Sequence, residues 1–165
     1  MRPIVAAAIL ALALGQTVVA QHSNAYLFAG GSTIPGRIMF TYWHGNYRHM
    51  GGGAEAGIGE RFTLGGEAGA LLSTAATFRR NALVASFGPG FHFFPRSDRK
   101  LDPFLAGGAS LLAGSGVGGM FYYGGGINYW FDSRLGLRLE FRDHVWSPEA
   151  TPIHFIGARI GLTIR

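Results

Sequence analysis

The sequence predicts an all-β chain of eight antiparallel strands in up-and-down order, closed into a barrel. Three observations lead there. Glycine supplies 27 of the 165 residues, charged residues only 14% and hydrophobic residues 48%. Each glycine inside a helix costs about 1 kcal/mol, which excludes a helical bundle. The chain is too apolar and too weakly charged to be disordered, and it lacks the Gly-x-y period of collagen. Second, apolar residues alternate with polar residues or glycine at period two in repeated short segments. Third, the connections between these segments alternate between short and long.

Taken in order, the first strand is expected at Ala25–Ser32 and the second at Gly51–Gly59, each bounded by glycine-rich turn signals. The third, Phe62–Leu72, sets Phe62, Leu64, Ala68 and Ala70 against Thr63, Gly65, Glu67 and Gly69. The fourth, Asn81–Phe94, sets Leu83, Ala85, Phe87, Phe91 and Phe93 against Ser86, Gly88, Gly90 and His92. The fifth and sixth are Phe104–Ala113 and Met120–Phe131. Pro103 to Phe131 contains no charge and invites reading as a membrane helix, but nine of its 29 residues are glycine. Gly114-Ser-Gly-Val-Gly-Gly119 at its centre is a loop signal, so a hairpin fits better. The seventh strand, Leu135–Trp146, sets Leu135, Leu137, Leu139 and Phe141 against Arg138, Glu140, Arg142 and His144. The eighth, Ile153–Ile164, sets Ile156, Ala158, Ile160, Leu162 and Ile164 against Phe155, Gly157, Arg159, Gly161 and Thr163. These lengths suit tilted strands that cross a bilayer in about 9–11 residues.

One set of connections is Gly59-Glu60-Arg61, Asp132-Ser133-Arg134 and Pro95–Asp102; the other, longer on average, is Thr33–Met50, Ser73–Arg80, Gly114–Gly119 and Ser147–Pro152. In a bacterial outer-membrane barrel the short turns and both termini face the periplasm and the longer loops face outward. The start of the chain fits export. Arg2 precedes an unbroken apolar run from Ile4 to Leu14, and Val18-Val19-Ala20 offers a cleavage site before Gln21. Residues 1–20 are therefore expected to be a signal peptide, with the barrel domain over 21–165. The apolar run is too short for a spanning helix. The chain has no cysteine, which removes disulfides and thiol chemistry. The formal net charge of +5 is carried by scattered arginines without a basic stripe, so nucleic-acid binding is not expected.

The polar faces decide which side of the barrel meets water. A soluble lipid-carrying barrel points its apolar face inward; a membrane barrel does the reverse. Here the polar faces are mostly glycine with a few charges. That makes a poor aqueous surface, where about 25–35% charge is wanted, but a good lining for a narrow lumen with room only for side chains. The fold is thus read as a transmembrane barrel. Glu55, Glu67, Glu140, Arg138, Arg142 and Arg159 fall on the polar side. Three acids meet three bases there, and a paired internal network is expected. Aromatics gather near strand ends: Tyr26, Phe28, Phe62, Phe91, Phe93, Phe94, Phe104, Tyr129, Trp130 and Phe131 on the turn side, and Phe121, Tyr122, Tyr123 and Trp146 on the loop side. They are expected to form interfacial girdles.

These residues resemble the small eight-stranded outer-membrane β-barrel proteins, including the outer-membrane protein A transmembrane domain. The stretch that carries the resemblance is Gly124-Gly-Gly-Ile-Asn-Tyr-Trp-Phe-Asp-Ser-Arg-Leu-Gly-Leu-Arg-Leu-Glu-Phe-Arg142, a strand, tight turn and strand. Pro103-Phe-Leu-Ala-Gly-Gly and the glycine alternation of the last strand are similar too. The resemblance implies a chain handled by the barrel-assembly machinery, in contact with outer-membrane lipid and lipopolysaccharide. Such barrels commonly end in an aromatic residue, whereas this chain ends Leu162-Thr-Ile-Arg165.

Some barrels of this kind are lipid A acyl hydrolases with Ser, His and Glu on the exterior, and His144, Ser147 and Glu149 lie near one another in this sequence. Nucleophilic catalysis needs the His within about 3 Å of the Ser hydroxyl, but His144 is expected to point inward and the spacing departs from that family's His-x-Ser pattern. Gly114-x-Gly116-x-x-Gly119 matches a dinucleotide fingerprint only formally, since no helix follows it. The longest connection holds His44 and His49 but no carboxylate to complete a metal site. Its Tyr42, Trp43, His44, Tyr47 and Arg48 are candidates for extracellular recognition of a surface ligand. The reading is therefore a monomeric, non-enzymatic outer-membrane barrel without cofactor or metal, with a filled polar lumen, supporting the envelope or displaying loops. A lipid A acyl hydrolase and a soluble periplasmic lipocalin-like lipid carrier are the alternatives.

Overall fold

The computed structural model describes residues 23–34, 45–74, 81–94, 99–114, 116–147 and 152–165. The expected signal peptide and its cleavage site lie outside them. The strands are β1 (Asn24–Ile34), β2 (Gly45–Gly57), β3 (Phe62–Ser73), β4 (Ala82–His92), β5 (Leu101–Ala113), β6 (Val117–Trp130), β7 (Leu135–Trp146) and β8 (Ile153–Ile164). Each pairs antiparallel with its sequence neighbour, and β1 pairs antiparallel with β8 to close the barrel. This is the eight-stranded up-and-down barrel that the alternation predicts.

β7 and β8 have the bounds read from the sequence. β2 differs most, beginning at Gly45 rather than Gly51. Its first half carries on the alternation, with Tyr47 and His49 buried and Arg48 and Met50 outward. β5 begins at Leu101, so Asp102 belongs to a strand and not to a turn. Two tight approaches require glycine. A Cβ on Gly88 would overlap the Gly107 carbonyl, and one on Gly108 would overlap the Phe87 carbonyl, so β4 and β5 press together beside Pro89 only because both side chains are absent.

The apolar face points outward. Leu27, Phe87, Leu111, Leu139, Phe141 and Leu162 are all exposed, while the charged residues of the alternate positions are buried. That order is the reverse of a soluble lipid-carrying barrel. The inward face is layered. Toward the loop end Ile34, Tyr47, Leu71, Ala82, Val84, Leu112, Met120, Ile153 and Phe155 form an apolar cluster, with Trp146 packed against it. This layer departs from the expectation of a polar or glycine lining along the whole lumen. A charged layer occupies the middle, and His92, Asp102, Asn128 and Trp130 are buried toward the turns.

The girdles need correction as well. Tyr26, Phe28, Phe104, Trp130 and Tyr122 are buried inside the barrel, because their positions share the parity of the luminal face. The outward aromatics at the turn end include Phe62, Phe93, Phe94, Tyr129 and Phe131. Phe62, Phe91 and Phe93 contact one another edge to face at 5.2 and 5.1 Å, and Tyr129 meets Phe131 at 5.5 Å. Phe121 and Tyr123 face outward nearer the loops, whereas Trp146 turns in against the apolar cluster.

Candidate functional site

The lumen's charged residues sit opposite glycines. Glu55 pairs across the ladder with Gly65, Glu67 with Gly53, Arg138 with Gly161, Glu140 with Gly126, Arg142 with Gly124 and Gly157, and Arg159 with Gly30. Eight strands enclose a space that side chains alone fill, so each long charged side chain needs a neighbour with none. The packing is close: a Cβ on Gly126 would overlap the Leu139 carbonyl and crowd the Phe104 ring.

The six charges meet in one array. Arg159 forks onto Glu67, donating from Nη1 to Oε1 at 2.8 Å and from Nη2 to Oε2 at 3.1 Å. Arg142 Nη1 donates to the same Glu67 Oε1 at 2.6 Å, and Arg142 Nε donates to Glu140 Oε1 at 2.8 Å. Arg138 Nε donates to Glu140 Oε2 at 3.0 Å, and its Nη2 forms an ion pair with Glu55 Oε1 at 2.7 Å. Arg159 Nη2 lies 2.8 Å from Glu140 Oε1, so Glu140 touches all three guanidinium groups. Each guanidinium also lies over an aromatic ring. Arg138 is held between Tyr26 at 4.3 Å and Phe104 at 3.9 Å, Arg142 lies over Tyr122 at 4.2 Å, and Arg159 over Phe28 at 4.0 Å. Desolvated cation–π contacts of this kind contribute up to about 2 kcal/mol each. These buried rings are the residues that strand-end position alone assigned to a girdle.

Sequence reading missed two members of the array. His92 places Nδ1 2.7 Å from Asp102 Oδ2 and Nε2 3.1 Å from Glu55 Oε2, with its ring stacked on Phe104 at 5.6 Å. Two carboxylate acceptors face the two ring nitrogens, so the ring bridges β2 to β5. Asn128 Nδ2 donates to the same Asp102 oxygen at 3.4 Å. The signal that could have found Asp102 is its parity with Phe104, two residues on.

Two luminal cavities of about 10 Å³ each adjoin the array, one lined by Tyr26, Glu55, Glu67, Tyr122 and Arg142 among others, the second beside His92, Asp102 and Arg165. Each has room for about one water molecule. The guanidinium of Arg165 lies 3.8 Å over the Trp130 ring, and Arg165 N donates to Arg134 O at 2.8 Å.

The loop candidates separate. Tyr42, Trp43 and His44 lie outside the described residues. Tyr47 is not a loop residue; it is buried inside the barrel, 6.5 Å from the Phe155 ring, because β2 extends to Gly45. Arg48 is exposed on the outward face of β2. His49 likewise leaves the loop and enters the lumen, where its ring lies 4.9 Å from Phe28 and 6.2 Å from His144. His144 is buried in the same layer, 5.8 Å from the Tyr122 ring, and Ser147 is exposed at the loop end of β7. Glu149 lies outside the described residues. Among the described residues, no group of three or more His, Asp or Glu side chains could hold a metal ion.

No protein-family model matches the chain, and no curated protein matches its sequence. Solved structures do match. Neisserial surface protein A aligns with a TM-score of 0.71 at 10% identity, over 87% of this chain and 96% of that one. The fold is that of the small eight-stranded outer-membrane barrels. OprG from Pseudomonas aeruginosa aligns with a TM-score of 0.61 at 8% identity, covering 87% of this chain and 95% of its own. The N-terminal β-barrel domain of OprF from the same organism aligns with a TM-score of 0.59 at 15% identity, over 87% and 98%. At these identities the likeness is one of fold.

Proposed function

We propose that the chain is a non-enzymatic barrel of the bacterial outer membrane, a monomer whose lumen is filled and whose role is to support the envelope or display its loops. The observation that carries this reading is the sidedness of the wall: large apolar side chains cover the outside, and paired charges are buried inside. A soluble protein with that arrangement would present Leu27, Phe87, Leu111, Phe121 and Phe141 to water, a surface expected to aggregate. The array of arginine, glutamate and aromatic rings acts as an internal strut and leaves no room for a wide pore. The surrounding lipid is the first partner, and the barrel-assembly machinery the second. The loops, including the segment with Tyr42, Trp43 and His44, are the natural contact for a surface ligand.

Cell fractionation with gel mobility tests this reading. The protein should stay with the outer membrane and migrate differently before and after heating, as a closed barrel does. Release by osmotic shock would overturn it. For enzymatic status, Ser147→Ala should leave lipid acylation of the host cells unchanged, and a changed acylation pattern would contradict a non-catalytic role.

A further inference from the structure

A second polar cluster lies on the outside of the wall, apart from the lumen. Tyr123, Asp143 and His154 project outward from β6, β7 and β8. Asp143 Oδ2 accepts from the Tyr123 hydroxyl at 2.9 Å and from His154 Nδ1 at 2.6 Å. The carboxylate is thereby covered, and Asp143 is 5% exposed although its strand position faces outward. An ionisable group in a lipid-facing wall is costly and marks a functional site until shown otherwise.

The outward residues of its own strands fix its depth. On β7 Leu135, Leu139 and Phe141 run exposed and apolar from the turn up to Asp143, and on β8 Ile164, Leu162 and Ile160 do the same below His154. From Leu135 to Val145, the ladder partner of His154, the strand climbs about 25 Å at ~3.3 Å per residue and a tilt of about 40°, the height of the apolar band. Asp143 and His154 therefore stand at its loop-side edge. With Nδ1 committed to Asp143, the remaining polar atom of the ring is Nε2, on a side chain that is 40% exposed. A protonated imidazole donates from that atom to an anionic oxygen. At this level of a bilayer the anionic oxygens are head-group phosphates. Arg48, exposed on β2, adds positive charge to the same flank. Only Gly31 and Ala158 stand in its row between it and Phe141.

We infer that the outward Tyr123–Asp143–His154 cluster is a docking point for the phosphate of an outer-leaflet lipid head group. Asp143 and Tyr123 are positioning residues that orient the ring, and His154 makes the contact. The inference rests on the proposed membrane-spanning role, and the experiment separates the two. The full barrel, its insertion into vesicles checked first, is moved to detergent micelles and offered phosphatidylglycerol or, as a phosphate-free control, diacylglycerol. Retained lipid is counted by native mass spectrometry. The wild type should retain phosphatidylglycerol in preference to diacylglycerol. His154→Gln and Asp143→Asn should each lower that retention about fivefold, the equivalent of one exposed ion pair. Their heat-dependent gel mobility should stay that of an intact barrel. Equal retention by wild type and His154→Gln, or equal retention of diacylglycerol, overturns the docking point. A wild type that fails to insert overturns the membrane reading itself.

Discussion

Glu140→Gln is the sharpest perturbation of the lumen, because among the described residues this carboxylate alone contacts all of Arg138, Arg142 and Arg159. The substitution keeps the shape and removes the charge. Oε1 receives Arg142 Nε at 2.8 Å and lies 2.8 Å from Arg159 Nη2, while Oε2 receives only Arg138 Nε at 3.0 Å. The amide will therefore turn its NH2 toward Arg138, setting donor against donor there and sparing the other two contacts. One charge-assisted hydrogen bond is lost, about 1.5–3 kcal/mol. A buried cation also loses part of its counter-charge, which brings the total to about 3–5 kcal/mol, the usual cost of breaking a buried pair. In a urea titration of the barrel in detergent or vesicles, followed by unheated gel mobility, the midpoint should fall by about 2 M at a slope of about 2 kcal/mol/M. Arg138→Met added to Glu140→Gln should recover part of the loss, because it removes the stranded charge. A Glu140→Gln midpoint within about 0.3 M of wild type, less than 1 kcal/mol at that slope, would mean that Glu140 does not hold the three cations in place.

Other outcomes follow from the same geometry. Glu67→Arg should lower the melting temperature and Arg159→Glu added to it should restore part, since the two side chains are forked together; absence of recovery counts against a specific pair. His92→Phe keeps the stack on Phe104 but leaves Glu55 and Asp102 without their shared donor, and equilibrium unfolding should show a loss of about 2–4 kcal/mol. Gly126→Val should block folding into the fast-migrating form, whereas Gly59→Val, at a turn glycine with open space around it, should not. In the β6–β7 turn, backbone N–H groups of Arg134 and Leu135 donate to Asp132 Oδ1 at 2.7 and 2.8 Å and hold its carboxyl below the ordinary aspartate value. A depressed folded value stabilises the turn above the unfolded value and loses that contribution as pH falls through the folded one. Wild type should therefore lose stability relative to Asp132→Asn only below about pH 4; equal acid profiles would contradict this.

How much of this was legible depends on contrast between the two faces. β7 and β8 were readable to the residue because leucine or isoleucine alternates with charge or glycine along them. The six luminal charges were readable for the same reason. The apolar layer at the loop end was not, since Leu71-Leu72, Leu83-Val84 and Leu111-Leu112 are apolar on both faces and period two carries no information there. The start of β2 was hidden by the opposite ambiguity, with Asn46, Tyr47, Arg48 and His49 all polar or amphipathic. Tyr26, Phe28, Phe104, Tyr122 and Trp130 lie close to strand ends, yet their parity with the charged residues places them inside. The Asp143–His154 contact joins two strands across the register on the face expected to be apolar, and only the folded wall brings those residues together.

In the proposed membrane barrel one face of each strand meets lipid and the other a sealed interior. The chain has no cysteine, so single spin labels can be placed without background. Nitroxides at Leu139→Cys and Phe141→Cys on β7, read by electron paramagnetic resonance in vesicles, test it most directly. Both should collide strongly with oxygen dissolved in the bilayer and weakly with a water-soluble nickel chelate. Strong collision with the chelate at both positions would place this face in water and rule out a membrane-spanning wall.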